Sequence, residues 1–368
     1  MQRLSYMQRV VGIILLSLWA SFAPASEPLP SDIIQDLNAL QQQLTDAGAS
    51  DGGSEALDTL IARATGQAAR LQAGNRSDQW ASALYSQLAA GAMARQGRQA
   101  EAAEQLANAR KRSGVPASQL ARWQREEAGL RRAAGQRGEA IALYEQWLDS
   151  HADAQVSWQL VYLLAQEERW ERAAEYLAPL LEQRDSLNEA RQSLVLAVLR
   201  NAGQNDAALA WLLEGLDSQS APEAWRQAAG LAQQAGQPGV AAGVWEMAWQ
   251  LGKFTQPEER LLLIQLHLAG GTPARAAEHL TEALQNGMLP QDEQTLRLLA
   301  TAWQQAKHVQ NALAAWKDVA KYTQQARDWR QVGQLAYAWD EEALAKHAFT
   351  QALALGDAEV ESWLVTLR

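Results

Sequence analysis

Histidines are the residues of this sequence that would most readily bind a metal ion or transfer a proton. There are five of them: His151, His267, His279, His308 and His347. None forms an HExxH pair, and none lies in a cluster with the spacing of metal ligands. Each is therefore predicted to be an ordinary residue of a helix surface or helix contact, and no metal site is expected.

Paired acidic residues and short basic runs are the other groups that could take part in catalysis or binding. The pairs Glu126-Glu127, Glu167-Glu168 and Glu341-Glu342 are predicted to be solvated helix faces, because adjacent helix residues do not converge on one point. Arg110-Lys111-Arg112 is predicted to end a helix, where positive charge complements the dipole. The sequence also has no Gly-x-Ser-x-Gly elbow and no glycine-rich phosphate loop in its required context. No catalytic residue or cofactor is assigned, and a non-catalytic protein is predicted.

Composition narrows the possible classes of protein. Ala, Leu, Gln and Glu outnumber Val, Ile and Thr in the 368 residues, a mixture that favours helix nearly everywhere. The net charge of −10 argues against general nucleic-acid binding, which needs clustered basic residues. Cysteine is absent, so the sequence offers no disulfide framework, no thiolate metal site and no lipid-accepting cysteine.

Residues 1–25 have the pattern of a secretory signal peptide. Arg3 and Arg9 give a positive start, an apolar stretch follows, and Ala23-Pro24-Ala25 supplies the small residues that precede cleavage. The apolar stretch is short for a membrane span, which needs roughly 20 residues, so an uncleaved anchor is the alternative to cleavage. We expect an exported protein of the periplasm in a Gram-negative type of envelope, which contacts membranes only through partners or through that anchor.

A unit of about 34 residues recurs along most of the chain, and it must position any functional residue. Each unit has a small residue where two helices approach closely, the anchor: Ala102, Ala140, Ala173, Ala208, Ala241, Ala276, Ala312 and Ala345. Four residues beyond each anchor, on the same helix face, lies a large side chain: Leu106, Tyr144, Leu177, Leu212, Trp245, Leu280, Trp316 and Phe349. Such a period predicts an all-α array of helix pairs that stack on their neighbours.

The turns of the repeats and the two ends of the array follow from the same pattern. Five residues before the anchor stands a glycine, Gly97, Gly135, Gly203, Gly236 or Gly271, whereas three units have Glu168, Lys307 or Asp340 there. Helices commonly end on a left-handed residue, which glycine accepts most readily. The predicted organisation is a signal peptide at 1–25, a leader and two capping helices at 26–82, about eight repeats at 83–356, and a C-terminal capping helix at 357–368.

These repeats resemble the tetratricopeptide repeat family. The likeness is greatest in two units, which contain Trp225, Ala229, Ala241 and Trp245, and Trp329, Gly333, Ala345 and Phe349. The resemblance implies a right-handed superhelical solenoid of antiparallel helix pairs, with an inner groove lined by the first helix of each pair. It also implies that Trp225, Trp245, Trp316 and Trp329 are core residues.

In the resembled fold, the groove is lined by residues 15, 11 and 8 positions before each anchor. Of these 24 positions, six are arginine and none is acidic, in a chain with 42 acidic residues. The groove residues predicted to bind a partner are Arg125, Arg132, Trp158, Tyr162, Arg200, Arg226, Arg297, Arg330 and Tyr337. Arginine offers a planar fork for carboxylates and stacks on aromatic rings, which suits an acidic or carboxylate-bearing segment.

A further resemblance concerns the last third of the chain. The segments Leu261 to Leu280 and Thr295 to Trp316 look like those of periplasmic repeat proteins encoded beside TonB, ExbB and ExbD. That likeness implies an adaptor for envelope proteins in a TonB-dependent energy-transduction system. A scaffold for polysaccharide export or cell-wall assembly is the alternative, and a glycan reader would need several aromatic residues in the groove.

Overall fold

The computed structural model describes residues 29–47 and 53–367, and every regular element in these ranges is helical. The chain divides after Asn188 into two compact units. The predicted signal peptide and most of the break between the first two helices lie outside the described residues. Within the described part, no helix has both the length and the apolar character needed to cross a membrane.

The first unit consists of helices that pack in chain order. Their bounds are α1 Ser31–Ala47, α2 Gly53–Leu71, α3 Arg76–Arg95, α4 Gln99–Arg110, α5 Ala117–Ala133, α6 Arg137–Leu148, α7 Ala154–Gln166 and α8 Trp170–Leu177, followed by a 3-10 helix at Ala178–Ser186.

The second unit continues the same alternation of helices and short turns. Its helices are α9 Glu189–Asn201, α10 Asn205–Gly215, α11 Pro222–Gln234, α12 Pro238–Gln250, α13 Pro257–Ala269, α14 Pro273–Gln285, α15 Glu293–Gln305, α16 Val309–Thr323, α17 Ala326–Ala338, α18 Glu342–Ala354 and α19 Glu361–Thr366, with a 3-10 helix at Ala358–Val360.

Burial of the anchor alanines confirms the predicted all-α repeat architecture. All eight have no exposed surface, so the second helix of each pair approaches its neighbours closely at the predicted residue. Six of the eight large side chains that follow are buried as well, whereas Leu212 and Trp316 are only partly buried. Trp225, Trp245 and Trp329 are core residues as predicted.

The N-terminal helices form part of the same core as the first helix pair. Asp36 of α1 pairs with Arg63 of α2, and its Oδ2 accepts a hydrogen bond of 2.8 Å from the Tyr85 hydroxyl of α3. Helix α3 begins at Arg76, before the predicted start of the repeats at residue 83, because Asn75 caps it through the Asp78 backbone N–H.

The turns within the helix pairs adopt the left-handed conformation predicted for them. The five glycines have φ between 71° and 79°. Glu168, Lys307 and Asp340 adopt the same conformation with φ of 55°, 56° and 59°, although none is glycine. The turn therefore keeps its left-handed conformation whichever side chain is present. The hydrogen bond that closes the turn is retained, because the next residue still donates its N–H to the preceding helix, as from His308 to the Trp303 carbonyl at 3.1 Å.

Glycine at these three turns is expected to stabilise the protein. The left-handed conformation costs roughly 1–2 kcal/mol of folding free energy for a residue with a Cβ atom. Glycine avoids this strain but loses roughly 0.5–1 kcal/mol more in backbone entropy on folding. Lys307→Gly should thus raise the free energy of unfolding by about 0.5–1 kcal/mol, measured by urea denaturation. Ala306→Gly is the matched control, because Ala306 has ordinary helical angles and glycine there should destabilise. Equal losses from both substitutions would contradict the prediction.

Glu127 corrects the prediction that the acidic pairs are solvated. Its side chain lies in the core with 3% exposure, where it accepts hydrogen bonds from Arg110 Nη1 at 2.6 Å and Arg131 Nε at 2.9 Å. Burial also raises the pKa of the neighbouring Glu126, against the opposing effect of Arg122. The packing of α4 on α5 brings these groups together, which the spacing within one helix did not indicate.

Candidate protein-binding surface

The nine predicted groove residues all lie on the first helices of their pairs. In the first unit, α5 contains Arg125 and Arg132, and α7 contains Trp158 and Tyr162. In the second unit, α9 contains Arg200, α11 contains Arg226, α15 contains Arg297, and α17 contains Arg330 and Tyr337. The arginines fall into two classes, which differ in their distance from the anchor alanine and in their partners.

Arginines fifteen positions before the anchor pair with a carboxylate from the next repeat or, in the last repeat, from the C-terminal segment that follows it. Arg125 Nη1 lies 3.0 Å from Asp153 Oδ2. Arg226 Nη2 lies 2.7 Å from Glu259 Oε1. Asp153 and Glu259 both lie at the start of the next first helix, where an acid also accepts exposed backbone N–H groups.

The same pairing recurs towards the C-terminal end. Two nitrogens of Arg297 donate to the two oxygens of Asp328, at 2.8 and 2.6 Å. Arg330 Nε lies 3.2 Å from Asp357 Oδ2 and also pairs with Glu359. These four arginines are therefore neutralised within the chain, which corrects the expectation that they form an uncompensated basic surface. Acids were absent from the groove positions, but they reach the arginines from a different position of the following repeat.

The bidentate pair of Arg297 and Asp328 affects the pKa of its acid. Burial of Asp328 favours its neutral form, but hydrogen bonds from Arg297 and Thr323 outweigh it, so the pKa of Asp328 lies below its ordinary value. Bidentate contacts of this kind fix the orientation of both groups. This pair joins α15 to α17.

Arginines eight positions before the anchor have a different environment. Arg132 and Arg200 are exposed, and neither forms an ion pair with a carboxylate of the described residues. Arg132 lies beside Tyr144, where burial raises the pKa of the phenol and Arg132 opposes the rise. These two arginines keep their positive charge available to a partner.

Arg200 lines a cleft of about 160 Å³ in the second unit, where α9, α10 and α11 meet. Its remaining lining residues are Leu196, Leu212, Gln227, Gly230, Leu231 and Gln234. Three leucines give the cleft an apolar surface, and Arg200 with two glutamines supplies hydrogen-bond donors and acceptors. A Cβ atom at Gly230 would meet no atom within 4 Å, so the glycine leaves space open.

The sequence identified the cleft only in part. Arg200 and Gly230 were among the predicted groove positions, whereas the two glutamines and three leucines were not. Leucine at position 212 gave no signal, because Leu106, Leu177 and Leu280 occupy the same position and are buried. Leu212 is only partly buried and lines the cleft.

The predicted groove aromatics divide between core and surface. Trp158 is 7% exposed, which corrects its assignment to an accessible groove. Helix α7 is apolar on several faces, with Val156, Leu160 and Leu163 also buried, so its buried surface includes Trp158. Tyr162 is 47% exposed, and Tyr337 packs edge-on against Trp363 at 5.2 Å between ring centroids.

Two histidines lie at helix contacts in the core, one of the two environments predicted for them. His267 of α13 and His279 of α14 are buried, and their rings meet Glu246 of α12. They are separated from Glu246 by 21 and 33 positions in the sequence, so no local motif could indicate this cluster.

Solved structures similar to this chain include several tetratricopeptide repeat proteins. The C-terminal part of one from Cytophaga hutchinsonii is 13% identical, with a TM-score of 0.29, and the match covers 66% of this chain and 98% of that chain. One from Parabacteroides merdae is 17% identical, with a TM-score of 0.24, and covers 76% and 95%. A chain of a complex described as Naa15/Naa10 bound to HypK-THB is 15% identical, with a TM-score of 0.42. The match covers 92% of this chain and 51% of that chain.

No protein-family model matches the sequence, and no curated protein is similar to it. The tetratricopeptide type of fold therefore rests on the helix pairs, buried anchors and left-handed turns of the chain itself.

Proposed function

We propose that this chain is a non-catalytic scaffold that binds a segment of another protein, and that the cleft around Arg200 is the binding site. The observation that supports this most is the difference between the two classes of arginine. The paired arginines join consecutive repeats, whereas Arg200 lies exposed beside an apolar surface. An apolar surface with a few convergent polar groups is the usual composition of a binding site.

The chemistry of the cleft defines the segment that it would bind. A carboxylate of the segment, from an acidic side chain or a C-terminus, would pair with Arg200. An apolar side chain beside it would contact Leu196, Leu212 and Leu231. Gln227 and Gln234 would bind peptide groups of the segment, since each amide both donates and accepts hydrogen bonds.

The partner is proposed to be an envelope protein of a TonB-dependent system. The export pattern of residues 1–25 supports the periplasm, and the likeness of Leu261 to Leu280 supports the TonB setting. A scaffold for polysaccharide export is the second candidate, but binding to glycans relies on exposed aromatic rings. Tyr162 and Tyr337 are exposed and Trp158 is buried, but no aromatic residue lines the cleft around Arg200, so the cleft favours a protein partner.

Reversal of charge at Arg200 tests the binding site. Arg200→Glu is expected to lower retention of an envelope partner about tenfold or more in a pull-down, because a paired carboxylate would then meet a like charge. Wild-type binding should also weaken as salt rises, since exposed charges are screened beyond about 8–10 Å. The matched control is Lys346→Glu, the same change of charge at an exposed residue of α18.

Equal retention by wild type and Arg200→Glu, with unchanged salt dependence, would refute the cleft as the site. Arg226 and Arg297 are less suitable for this test, because each side chain binds an acid of the next repeat. Their reversal would change the stability of the array together with any binding.

Export is tested separately from binding. A reporter fused after residue 30 is expected to reach the periplasm, and the recovered protein should begin at Ser26, because cleavage follows Ala25. N-terminal sequencing gives the measurement, with a fusion that lacks residues 1–25 as the control. Membrane-bound protein that begins at Met1 would favour the uncleaved anchor.

A further inference from the structure

Glu246, His267 and His279 form a buried cluster in the second unit, on the consecutive helices α12, α13 and α14. His267 Nε2 lies 3.3 Å from Glu246 Oε2, and His279 Nε2 lies 3.3 Å from Glu246 Oε1. His267 is 3% exposed and His279 is 7% exposed. Neither Nε2 atom has a hydrogen bond of acceptable geometry, although both are shielded from solvent.

Thr272 makes two contacts with His267. Its hydroxyl is placed to donate to the His267 carbonyl at 3.1 Å. The same oxygen lies 2.9 Å from His267 Nδ1, which donates to it in the tautomer that carries the proton on Nδ1. In that tautomer, Nε2 carries a bare lone pair that faces the Glu246 carboxylate.

A neutral imidazole binds a metal ion through its bare ring nitrogen. Both Nε2 atoms are buried beside the Glu246 carboxylate and have no hydrogen-bond partner, so a cation held between the three side chains would satisfy all of them.

We propose that Glu246, His267 and His279 bind a zinc ion. Two imidazole nitrogens and one carboxylate oxygen are ligands that zinc accepts, with a fourth position for water. A tetrahedral ion with bonds of about 2.0–2.2 Å holds neighbouring ligand atoms about 3.3–3.5 Å apart, which matches the 3.3 Å between His267 Nε2 and Glu246 Oε2. All three ligand atoms lie within 4.8 Å of one another, so the two rings need only a small adjustment to close the site.

The surroundings supply the outer contacts that such a site requires. Arg275 binds Glu246 Oε1 and thereby orients the carboxylate, leaving Oε2 for the ion. The positive charge of Arg275 is balanced by Glu278. Arg260, which binds the His279 carbonyl, is balanced by Glu282. Thr272 fixes the His267 ring, as outer-sphere hydrogen bonds commonly do for metal ligands.

The test is a zinc titration of the exported chain, prepared without a histidine tag and stripped of metal by a chelator. Competition with a chromogenic chelator should show one zinc ion per chain, and cobalt should give the intense visible absorption of a tetrahedral site. His267→Ala and Glu246→Gln are each expected to weaken zinc binding by more than about 100-fold, since even outer-sphere partners contribute about 10- to 100-fold. His347→Ala, at an exposed histidine, is the matched control and should bind zinc as wild type does.

Absence of stoichiometric zinc binding at micromolar concentration would overturn the proposal. So would an equal loss in His347→Ala and His267→Ala. If the buried substitutions unfold the chain, as judged by circular dichroism, X-ray absorption of the zinc-loaded wild type decides instead. Two imidazole ligands in a four-coordinate shell are expected there, and a shell without imidazole would overturn the site.

Discussion

Replacement of Trp245 by alanine is expected to lower the free energy of unfolding by about 3–5 kcal/mol. The ring is 6% exposed and packs on Phe254 with 4.2 Å between ring centroids. Its Nε1 also donates a hydrogen bond of 3.0 Å to the Glu259 carbonyl. Alanine would leave a cavity between consecutive repeats and remove the hydrogen bond that joins α12 to the start of α13.

Trp316→Ala is the matched control for this large effect. Trp316 occupies the equivalent position of its repeat, but its side chain is only partly buried and its Nε1 donates to the Gln304 side chain. Its loss should therefore cost less than that of Trp245, although the repeat pattern alone predicts equal costs. Urea denaturation followed by circular dichroism measures both. A cost below about 1 kcal/mol for Trp245→Ala would mean that the ring is not a core residue.

Arg297→Leu is expected to lower the free energy of unfolding by about 3 kcal/mol at neutral pH, because it leaves a buried acid without its charged partner. The Asp328 side chain is 4% exposed and would keep the hydrogen bond from Thr323 Oγ1, at 2.6 Å, and the more distant Arg327, whose Nε lies 3.8 Å from Oδ1 on an exposed side chain. Arg226→Leu is the comparison. Glu259 is more exposed and retains backbone N–H donors, so this substitution should cost less.

The effect of Arg297→Leu should depend on pH in a defined direction. The folded-state pKa of Asp328 is lowered, so its contribution to stability is complete above the unfolded value of about 3.9 and is lost as pH falls through the folded value. The difference between wild type and Arg297→Leu should therefore shrink in acid. Denaturation at pH 7 and at pH 3 measures it, and an equal difference at both would refute the role of the charged pair.

Replacing both partners gives an independent check on this pair. Arg297→Leu combined with Asp328→Leu removes the buried charge, and apolar replacement of a buried pair is often neutral or stabilising. The double variant should therefore be more stable than Arg297→Leu alone. A double variant that is less stable would show that packing, rather than the unpaired acid, explains the single loss.

The sequence by itself determined the helix pairs and their turns. Ala241, Trp245 and Gly236 could be placed because helix periodicity, close approach and turn conformation depend on residues only a few positions apart. The same local hydrogen bonding explains why Lys307 adopts the conformation that glycine has elsewhere. The repeat pattern thus gave the architecture and the helices on which the groove arginines lie.

Only the tertiary structure decided what those residues contact. Arg297 and Asp328 are 31 positions apart, and the packing of one repeat on the next brings them together. The same is true of the cleft around Arg200 and of the His267 and His279 pair beside Glu246. A side chain's partner across a helix interface depends on the rotation and offset of both helices, which the 34-residue period does not fix. The repeat therefore specified which faces are buried, whereas packing between repeats specified which charges are paired and which are left for a partner.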